Sequence, residues 1–398
     1  MESSKLLMET FTKGKQEKNP FGFTFEDWRE KAKEVLPSTS WGYVFGSAGD
    51  GATDQRDVRS FEDWLFVPRR LVPLKECDIK PSYKVLGLNV PSPIAVAPIG
   101  VNTIFHHEGE CGMAKGTKEA ETTYVMSSAT STSLEEIAKA NGEGQRFFQL
   151  YWPPNERNDV TASILRRAKE NGFTALIVTL DTYVLGYRPM DLSNAYNPFV
   201  LPDQTGCMLG MSDPVFRKTF KEKHGKEIEE DMQKAALEWT STLFCGAGHD
   251  WEDLKFLREN WDGPIALKGI TCVEDAKLAV KYGMEGIVVS THGGRQVNGS
   301  VSSLEVLPEI VDAVGDQLDV LFDSGIRSGV DVAKALALGA KMVLIGRPCV
   351  YGLSIGGSEG VKHVLQCLKC DLELSMRLSG VKSIGKSELN REKLRKVQ

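Results

Sequence analysis

The chain has 398 residues, of which 41% are hydrophobic and 26% are charged, a balance that excludes a disordered or collagen-like polymer. Its 48 lysines and arginines are scattered among 54 aspartates and glutamates, so a net charge of −6 predicts no nucleic-acid partner. The longest uncharged stretch, residues 85–105, contains three prolines and is not expected to cross a membrane. Eight scattered cysteines and the lack of an apolar leader in residues 1–20 predict a cytoplasmic protein with reduced thiols.

Short apolar runs alternate with amphipathic segments that end at glycine, a pattern typical of the strand–helix units of a parallel sheet. Eight runs are expected to be strands: 93–97, 123–127, 146–151, 174–180, 264–268, 286–290, 319–323 and 342–346. Capping-box patterns at Thr271 with Glu274 and at Ser302 with Glu305 predict two of the helix starts. Eight consecutive units favour a closed α/β fold, the (β/α)8 TIM barrel, over an open doubly wound sheet.

Three segments lie outside this regular spacing. Residues 1–65 are expected to form an N-terminal helical cap, with a helix around residues 25–36, and the barrel is expected to span residues 66–386. An insertion after the fourth strand, about residues 189–248, is interpreted as a lid over the active site, with a solvated surface excursion as the alternative. Residues 387–398 form a C-terminal tail.

The ends of the seventh and eighth strands carry residues suited to an anion. Asp323, Gly325 and Arg327 follow the seventh strand, and Gly346 and Arg347 follow the eighth. Glycine lets backbone N–H groups approach an anion, and arginine adds a charged planar fork. A turn glycine or a surface arginine explains each residue singly, but the combination at these two strands predicts a phosphate site.

A histidine and two arginines predict acid–base chemistry on a carboxylate substrate. His292 follows the sixth strand and lies between Thr291 and two glycines, and Arg295 is placed to hold a carboxylate. Asp181, at the end of the fourth strand, is a candidate to orient the imidazole, although it could also cap the following loop. Arg188 is a second candidate for the carboxylate, with an ordinary surface arginine as the alternative.

Lys268 ends the fifth strand, where a buried amine needs a partner. A Schiff-base lysine, a phosphate ligand and a cation beside a cofactor all remain open for it.

No metal site is predicted from the histidines and cysteines. His363, Cys367 and Cys370 share one helical face, but a fourth ligand is missing. His106 and His107, beside Glu108 and Glu110, are interpreted as loop and helix-start residues.

Five motifs in this order resemble the FMN-dependent L-2-hydroxy acid oxidase and dehydrogenase family, which includes glycolate oxidase, lactate oxidase, mandelate dehydrogenase and lactate 2-monooxygenase. The resemblance covers residues 21–386. The motifs are Phe-Gln-Leu-Tyr at 148–151, Ser-Thr-His-Gly-Gly-Arg-Gln at 290–296, Asp-Ser-Gly-Ile-Arg-Ser-Gly at 323–329, Ala-Leu-Ala-Leu-Gly at 335–339 and Ile-Gly-Arg-Pro at 345–348.

The resemblance implies that FMN is the cofactor and that O2 reoxidises it. It assigns the base to His292 paired with Asp181, and the cation beside the flavin to Lys268. The implied substrate ligands are Tyr43, Tyr151, Arg188 and Arg295. The implied FMN contacts are Pro98, Ile99, Gly100, Ser127, Gln149, Thr179, Lys268, Ser290, Asp323, Gly325, Arg327, Gly346 and Arg347.

Within the family, the long insertion and Gly100 are most similar to lactate 2-monooxygenase, which implies oxidative decarboxylation; a simple oxidase and a non-catalytic flavin protein are the alternatives. Gly100, where many oxidases of the family have alanine, is expected to leave more room beside the flavin. Thr291, where asparagine is common, and Trp152 are departures expected to reshape the pocket. The resemblance also implies a homo-oligomer, a tetramer or an octamer.

Overall fold

The computed structural model describes residues 2–13, 19–74, 77–79, 83–200 and 204–397. Within them the strands are β1 (Trp64–Phe66), β2 (Tyr83–Val85), β3 (Leu88–Val90), β4 (Ile94–Val96), β5 (Thr123–Met126), β6 (Arg146–Tyr151), β7 (Leu176–Thr179), β8 (Ile265–Ile270), β9 (Gly286–Val289), β10 (Asp319–Phe322), β11 (Met342–Ile345) and β12 (Leu394–Lys396). The helices are α1 (Glu2–Lys13), α2 (Phe25–Val35), α3 (Ser38–Phe45), α4 (Ala52–Arg59), α5 (Gly109–Glu119), α6 (Leu134–Asn141), α7 (Asn158–Glu170), α8 (Pro189–Ser193), α9 (Met208–Met211), α10 (Pro214–His224), α11 (Met232–Leu243), α12 (Leu254–Asn260), α13 (Val273–Lys281), α14 (Ser303–Val314), α15 (Gly329–Ala337) and α16 (Arg347–Leu378).

Strands β4 to β11 form a closed barrel in which every neighbouring pair is parallel. Neighbours in the chain are neighbours in the barrel, and β11 closes it by pairing with β4, where Val343 lies opposite Ile94. The (β/α)8 prediction is confirmed. Parallel strands must be covered on both faces, which is why their sequences are continuous apolar runs.

One end of the barrel is sealed by apolar packing. Side chains from all eight strands form the interior cluster, and the hairpin β2–β3 adds Val85, Leu86 and Val90 to it. The Leu86 N–H donates to the Asp319 carboxylate at 2.7 Å, at the first residue of β10, so the hairpin covers the end where the strands begin. The open end is therefore the one where the strands finish, which is the end that carries the active site in barrel enzymes.

The two predicted capping boxes have different outcomes. Ser302 and Glu305 form both halves of the box at the start of α14. The box at Thr271 and Glu274 is wrong, because α13 begins at Val273 after Cys272 and no side chain caps it. Strand β8 continues to Ile270, two residues past its predicted end, with an irregularity in its pairing after Lys268. Thr271 is consequently used for the turn between strand and helix.

The helices α2, α3 and α4 precede the barrel, and α4 lies against the loop that follows β9. A Cβ atom on Gly294 of that loop would lie 2.4 Å from the Asp54 backbone nitrogen, so only glycine permits this approach.

The insertion between β7 and β8 has apolar packing of its own. Phe216 and Trp239 are fully buried with ring centroids 5.1 Å apart, and Gly210 leaves room for the Trp239 ring. Helices α8 to α11 belong to this insertion.

The C-terminal residues pack against earlier parts of the chain. Strand β12 pairs antiparallel with β1, and Arg391 forms an ion pair with Asp312 at 2.9 Å. None of the described helices combines the length and apolar character needed to cross a membrane.

Candidate active site

The imidazole of His292 is held by the carboxylate of Asp181. His292 Nδ1 lies 2.8 Å from Asp181 Oδ1, and the Thr182 hydroxyl donates to the same oxygen at 2.6 Å. Burial lowers the pKa of His292 below its ordinary value, and Lys268 and Arg188 lower it further while Asp181 opposes them. Burial alone would raise the pKa of Asp181, but His292, Lys268 and the hydrogen bonds outweigh it and hold that pKa low. Near neutral pH the pair is a neutral imidazole beside a carboxylate.

The backbone that presents His292 is unusual. Three consecutive residues, His292, Gly293 and Gly294, have positive φ angles of 59°, 62° and 70°. Glycine adopts this conformation freely, whereas histidine does so at a cost. The sequence thus explains the two glycines, and the histidine is held by hydrogen bonds of the loop.

Lys268 is a buried cation that lies near the same carboxylate as His292. Its Nζ donates to the Ser290 hydroxyl at 3.0 Å and lies 3.6 Å from Asp323 and 3.9 Å from Asp181. Two carboxylates and a hydroxyl compensate for the burial of the ammonium group.

Two arginines lie side by side near the histidine. Arg188 donates to the Arg295 carbonyl at 3.1 Å and to the Gln296 side-chain oxygen at 2.9 Å, and Arg295 donates to the backbone carbonyls of Tyr43 and Gly46 at 2.6 and 2.7 Å. Burial and the charge of Arg188 lower the pKa of Arg295 to about 10. Within the described part of the chain, neither guanidinium forms an ion pair with a carboxylate. The pair is therefore suited to an anionic ligand.

These groups face a cavity of about 1000 Å³ at the open end of the barrel, part of which is continuous with solvent. Three aromatic rings in contact line part of the cavity: Phe244 lies 5.4 Å from Tyr151 and 5.2 Å from Phe199 between ring centroids. Both phenylalanines come from the insertion, so the insertion contributes directly to the walls of the cavity.

Comparison with known proteins shows which family the chain belongs to. A model described as FMN-dependent dehydrogenase matches residues 32–396. The chain is 56% identical over 371 residues to an FMN-dependent alpha-hydroxy acid dehydrogenase of Schizosaccharomyces pombe, covering 93% of this chain and 91% of the relative. The chain belongs to the FMN-dependent dehydrogenase family. It is also 35% identical over 365 residues to L-lactate oxidase of Lysinibacillus sphaericus, with 92% and 91% covered. A crystal structure of mandelate oxidase with (S)-2-phenylpropionate superposes with a TM-score of 0.78 at 34% identity, covering 94% of this chain and 98% of that one.

The cavity of this FMN-dependent family member fits a phosphate group at one end. Arg347 and Arg327 line it there, and Arg347 is the first residue of α16, where free backbone N–H groups favour an anion. A Cβ atom on Gly346 would meet nothing within 4 Å, so the approach to this helix end is open. Asp54 lies 3.1 Å from Arg347 and 3.6 Å from Arg327, which leaves one positive charge in excess among the three side chains.

Most of the residues implied by the resemblance surround this cavity. Those that line it are Tyr43, Pro98, Ile99, Gly100, Tyr151, Arg188, Lys268, His292, Arg295, Asp323, Gly325, Arg327, Gly346 and Arg347. Five others are not among its lining residues: Asp181, Ser127, Gln149, Thr179 and Ser290. Gln149 donates to the Thr179 hydroxyl at 2.9 Å and accepts from the Ser128 N–H at 3.2 Å, so its amide is held in one orientation.

The expectation that Gly100 leaves extra space beside the flavin is wrong. A Cβ atom on Gly100 would lie 2.3 Å from the Ala129 carbonyl oxygen, and the Val101 N–H donates to the same oxygen at 2.9 Å. The missing methyl group therefore permits two loops to pack closely and does not enlarge the ligand cavity.

Three polar residues of the site were missed from the sequence. Thr182 lies 3.2 Å from His292 Nδ1, and Gln296 donates to the Asp181 carbonyl at 2.7 Å. Asp57, from the cap, accepts from the Thr291 hydroxyl at 2.5 Å. Gln296 could have been found, since it ends the motif at 290–296, whereas nothing in the local sequence marks Asp57.

The histidine and cysteine clusters have structural partners. The Nε2 of His363 lies 2.6 Å from the Gly22 carbonyl, to which it donates. Potential ligand atoms of His106, His107 and Glu108 lie within 4.8 Å of one another. However, His106 Nδ1 accepts from the Glu108 N–H at 3.2 Å, and the Glu108 carboxylate accepts from the Ser358 N–H at 3.0 Å. Backbone N–H groups thus already bind the His106 Nδ1 atom and the Glu108 carboxylate, two of the three potential metal ligands.

Proposed function

We propose that this enzyme oxidises an L-2-hydroxy acid to the 2-oxo acid, with His292 as the base and O2 as the final oxidant. The observation that carries the proposal is the His292 imidazole, whose Nδ1 lies 2.8 Å from Asp181 Oδ1, in one cavity with two arginines suited to a carboxylate. FMN, which Lys268, Arg327 and Arg347 would hold in this cavity, would supply a hydride acceptor for the C2 hydrogen.

The side chains have separate roles in substrate binding and proton transfer. Arg188 and Arg295 bind the substrate carboxylate, and the hydroxyl groups of Tyr43 and Tyr151 line the same cavity as further polar contacts. His292 takes the proton of the C2 hydroxyl, and the Asp181 carboxylate stabilises the imidazolium that results.

The remaining predicted residues hold the cofactor. The Lys268 ammonium compensates for the negative charge that FMN gains, and Arg327 and Arg347 bind its phosphate. The other proposed contacts with FMN are the set assigned by resemblance.

An anaerobic titration tests the reaction. The FMN-loaded protein is mixed with L- and D-2-hydroxy acids of increasing side-chain size while the oxidised flavin absorbance is followed. One enantiomer should bleach the flavin, and His292→Ala should bleach it at least a hundredfold more slowly. A wild-type protein that keeps FMN and is bleached by no acid supports the non-catalytic alternative, and equal rates in the variant remove His292 as the base.

For the outcome with O2 we propose the monooxygenase reaction. Phe199 and Phe244 of the insertion line the cavity, and a wall supplied by the insertion favours retention of the 2-oxo acid until O2 is reduced. One acid RCH(OH)COOH and one O2 would then give RCOOH, CO2 and H2O. Release of one H2O2 per O2 without CO2 would instead establish the simple oxidase. Measuring O2, CO2 and H2O2 together in one reaction separates the two outcomes.

A cytoplasmic homo-oligomer, tetramer or octamer, is also proposed. All eight cysteines are free thiols, as expected of a reducing compartment. Light scattering and microscopy of a tagged full-length chain test assembly and location.

A further inference from the structure

The loop that presents His292 is fastened to the barrel by a small set of hydrogen bonds. The His292 N–H donates to the Ser290 hydroxyl at 3.0 Å, and the Gly293 N–H donates to the Ser324 hydroxyl at 3.0 Å. The third N–H of the loop, that of Gly294, donates to the Thr291 carbonyl at 3.1 Å and to the Thr291 hydroxyl at 3.3 Å. Since all three residues have positive φ angles, the loop depends on these bonds to keep its conformation.

The Thr291 hydroxyl connects this loop to a different part of the protein. Its oxygen lies 2.5 Å from Asp57 Oδ2, while the other oxygen of Asp57 accepts from the Ser303 N–H at 3.2 Å. Asp57 belongs to α4 of the N-terminal cap and is fully buried, and Thr291 is buried as well. The contact therefore joins the cap, the loop after β9 and the first turn of α14 at one carboxyl group.

Because Asp57 is fully buried, water cannot replace the Thr291 hydroxyl as its hydrogen-bond partner. Burial raises its pKa to about 7, with smaller contributions from Asp54 on the same helix and Asp323 at the end of β10, while the hydrogen bonds from Thr291 and Ser303 limit the rise. If Asp57 lost its hydroxyl partner, Oδ2 would bear a desolvation cost, because Ser303 donates only to Oδ1.

We propose that Asp57 is a positioning residue of the reaction, which acts through the Thr291 hydroxyl to hold His292 against Asp181. This inference rests on the proposed function, because it presupposes that His292 is the base. It also gives a physical role to Thr291, whose hydroxyl donates to the carboxylate of Asp57 and accepts from the Gly294 N–H.

The test is the rate of flavin reduction by excess substrate without oxygen, measured from pH 5 to 9 in FMN-loaded Thr291→Val and Thr291→Ser. The valine variant removes the hydroxyl and should reduce the limiting rate about 10- to 100-fold while KM changes less than threefold, because the base is displaced and the arginines are not. Its acid limb should move to higher pH, since a loosened loop exposes the imidazole and relieves the effect of burial on its pKa. The serine variant keeps the hydroxyl and should recover both the rate and the pH profile.

Thr53→Val is the matched control. Thr53 is buried on the same helix and donates to the Val297 carbonyl at 2.8 Å, outside the loop of residues 291–294. This variant loses a comparable buried hydrogen bond between the cap and the barrel and should keep the wild-type rate and pH profile.

Several outcomes would overturn the proposal. Wild-type kinetics and pH profile in Thr291→Val would do so, and so would an equal loss in Thr53→Val. If Thr291→Val does not retain FMN, Thr291→Ala takes its place, and failure of both to fold would assign Thr291 to stability alone. His292→Ala distinguishes the two levels: normal reduction in that variant refutes the proposed base, whereas slow reduction there with normal Thr291→Val refutes only the positioning role.

Discussion

Replacing Asp181 by asparagine isolates the charge of the carboxylate beside His292. The amide keeps the size of the side chain and one acceptor oxygen for His292, but removes the negative charge, which lies 2.8 Å from Nδ1. With charge centres about 4 Å apart and an effective dielectric constant of about 20, the lost attraction to the imidazolium is about 4 kcal/mol. That value corresponds to a decrease of up to about 10³-fold in rate, so we expect 10²- to 10³-fold. Asp181 also raises the pKa of His292, so its removal makes the base weaker.

The assay is stopped-flow reduction of bound FMN without oxygen, at saturating substrate and several pH values. The chain offers a matched control in a second pair, His249 and Asp253, whose Nδ1 and Oδ2 atoms lie 3.2 Å apart outside the active-site cavity. Asp253→Asn should leave the rate within twofold of wild type. A rate for Asp181→Asn within threefold of wild type, with FMN retained, would refute the electrostatic reasoning.

Three further predictions follow from single groups. Gly100→Ala should lower the free energy of unfolding by about 1–3 kcal/mol, because its Cβ meets the Ala129 carbonyl. The control is Gly248→Ala, whose Cβ would meet only ring atoms at ordinary contact distance. Thermal denaturation compares the two variants, and equal melting temperatures would contradict the prediction. Arg188→Met should raise KM at least tenfold, equivalent to about 1.5–3 kcal/mol of a charge-assisted bond, with a smaller effect on the limiting rate; unchanged KM in steady-state assays would dismiss it as a carboxylate ligand. Because burial lowers the pKa of His292, kcat/KM for flavin reduction should decrease on the acid side, as the imidazole gains a proton, with a midpoint below the ordinary histidine value of 6.5; a midpoint at or above pH 6.5 would be inconsistent with this environment.

The barrel was predictable because strands buried on both faces leave continuous apolar runs in the sequence. The run at 146–151 coincides with β6, whereas β8 extends two residues past its predicted end because its pairing becomes irregular after Lys268. Residues at the ends of parallel strands converge on one face, so the pairing of His292 with Asp181 could be inferred from the sequence. The role of Asp57 could not, since it is separated from Thr291 by 234 residues and its place depends on how the cap packs over the barrel.

The same packing also determines how Arg295 and Arg347 are oriented. Helix α3 ends at Phe45, and its last carbonyl groups have no partner within the helix. Arg295 donates to the carbonyls of Tyr43 and Gly46, and Arg347 donates to those of Val44 and Gly46 at 2.9 and 3.2 Å. The negative end of the helix dipole favours these cations, so one helix end orients both the guanidinium proposed for the substrate carboxylate and the one proposed for the phosphate. Arg295 and Arg347 follow two different barrel strands, but the carbonyl groups at the end of α3 fix the direction of both guanidinium groups.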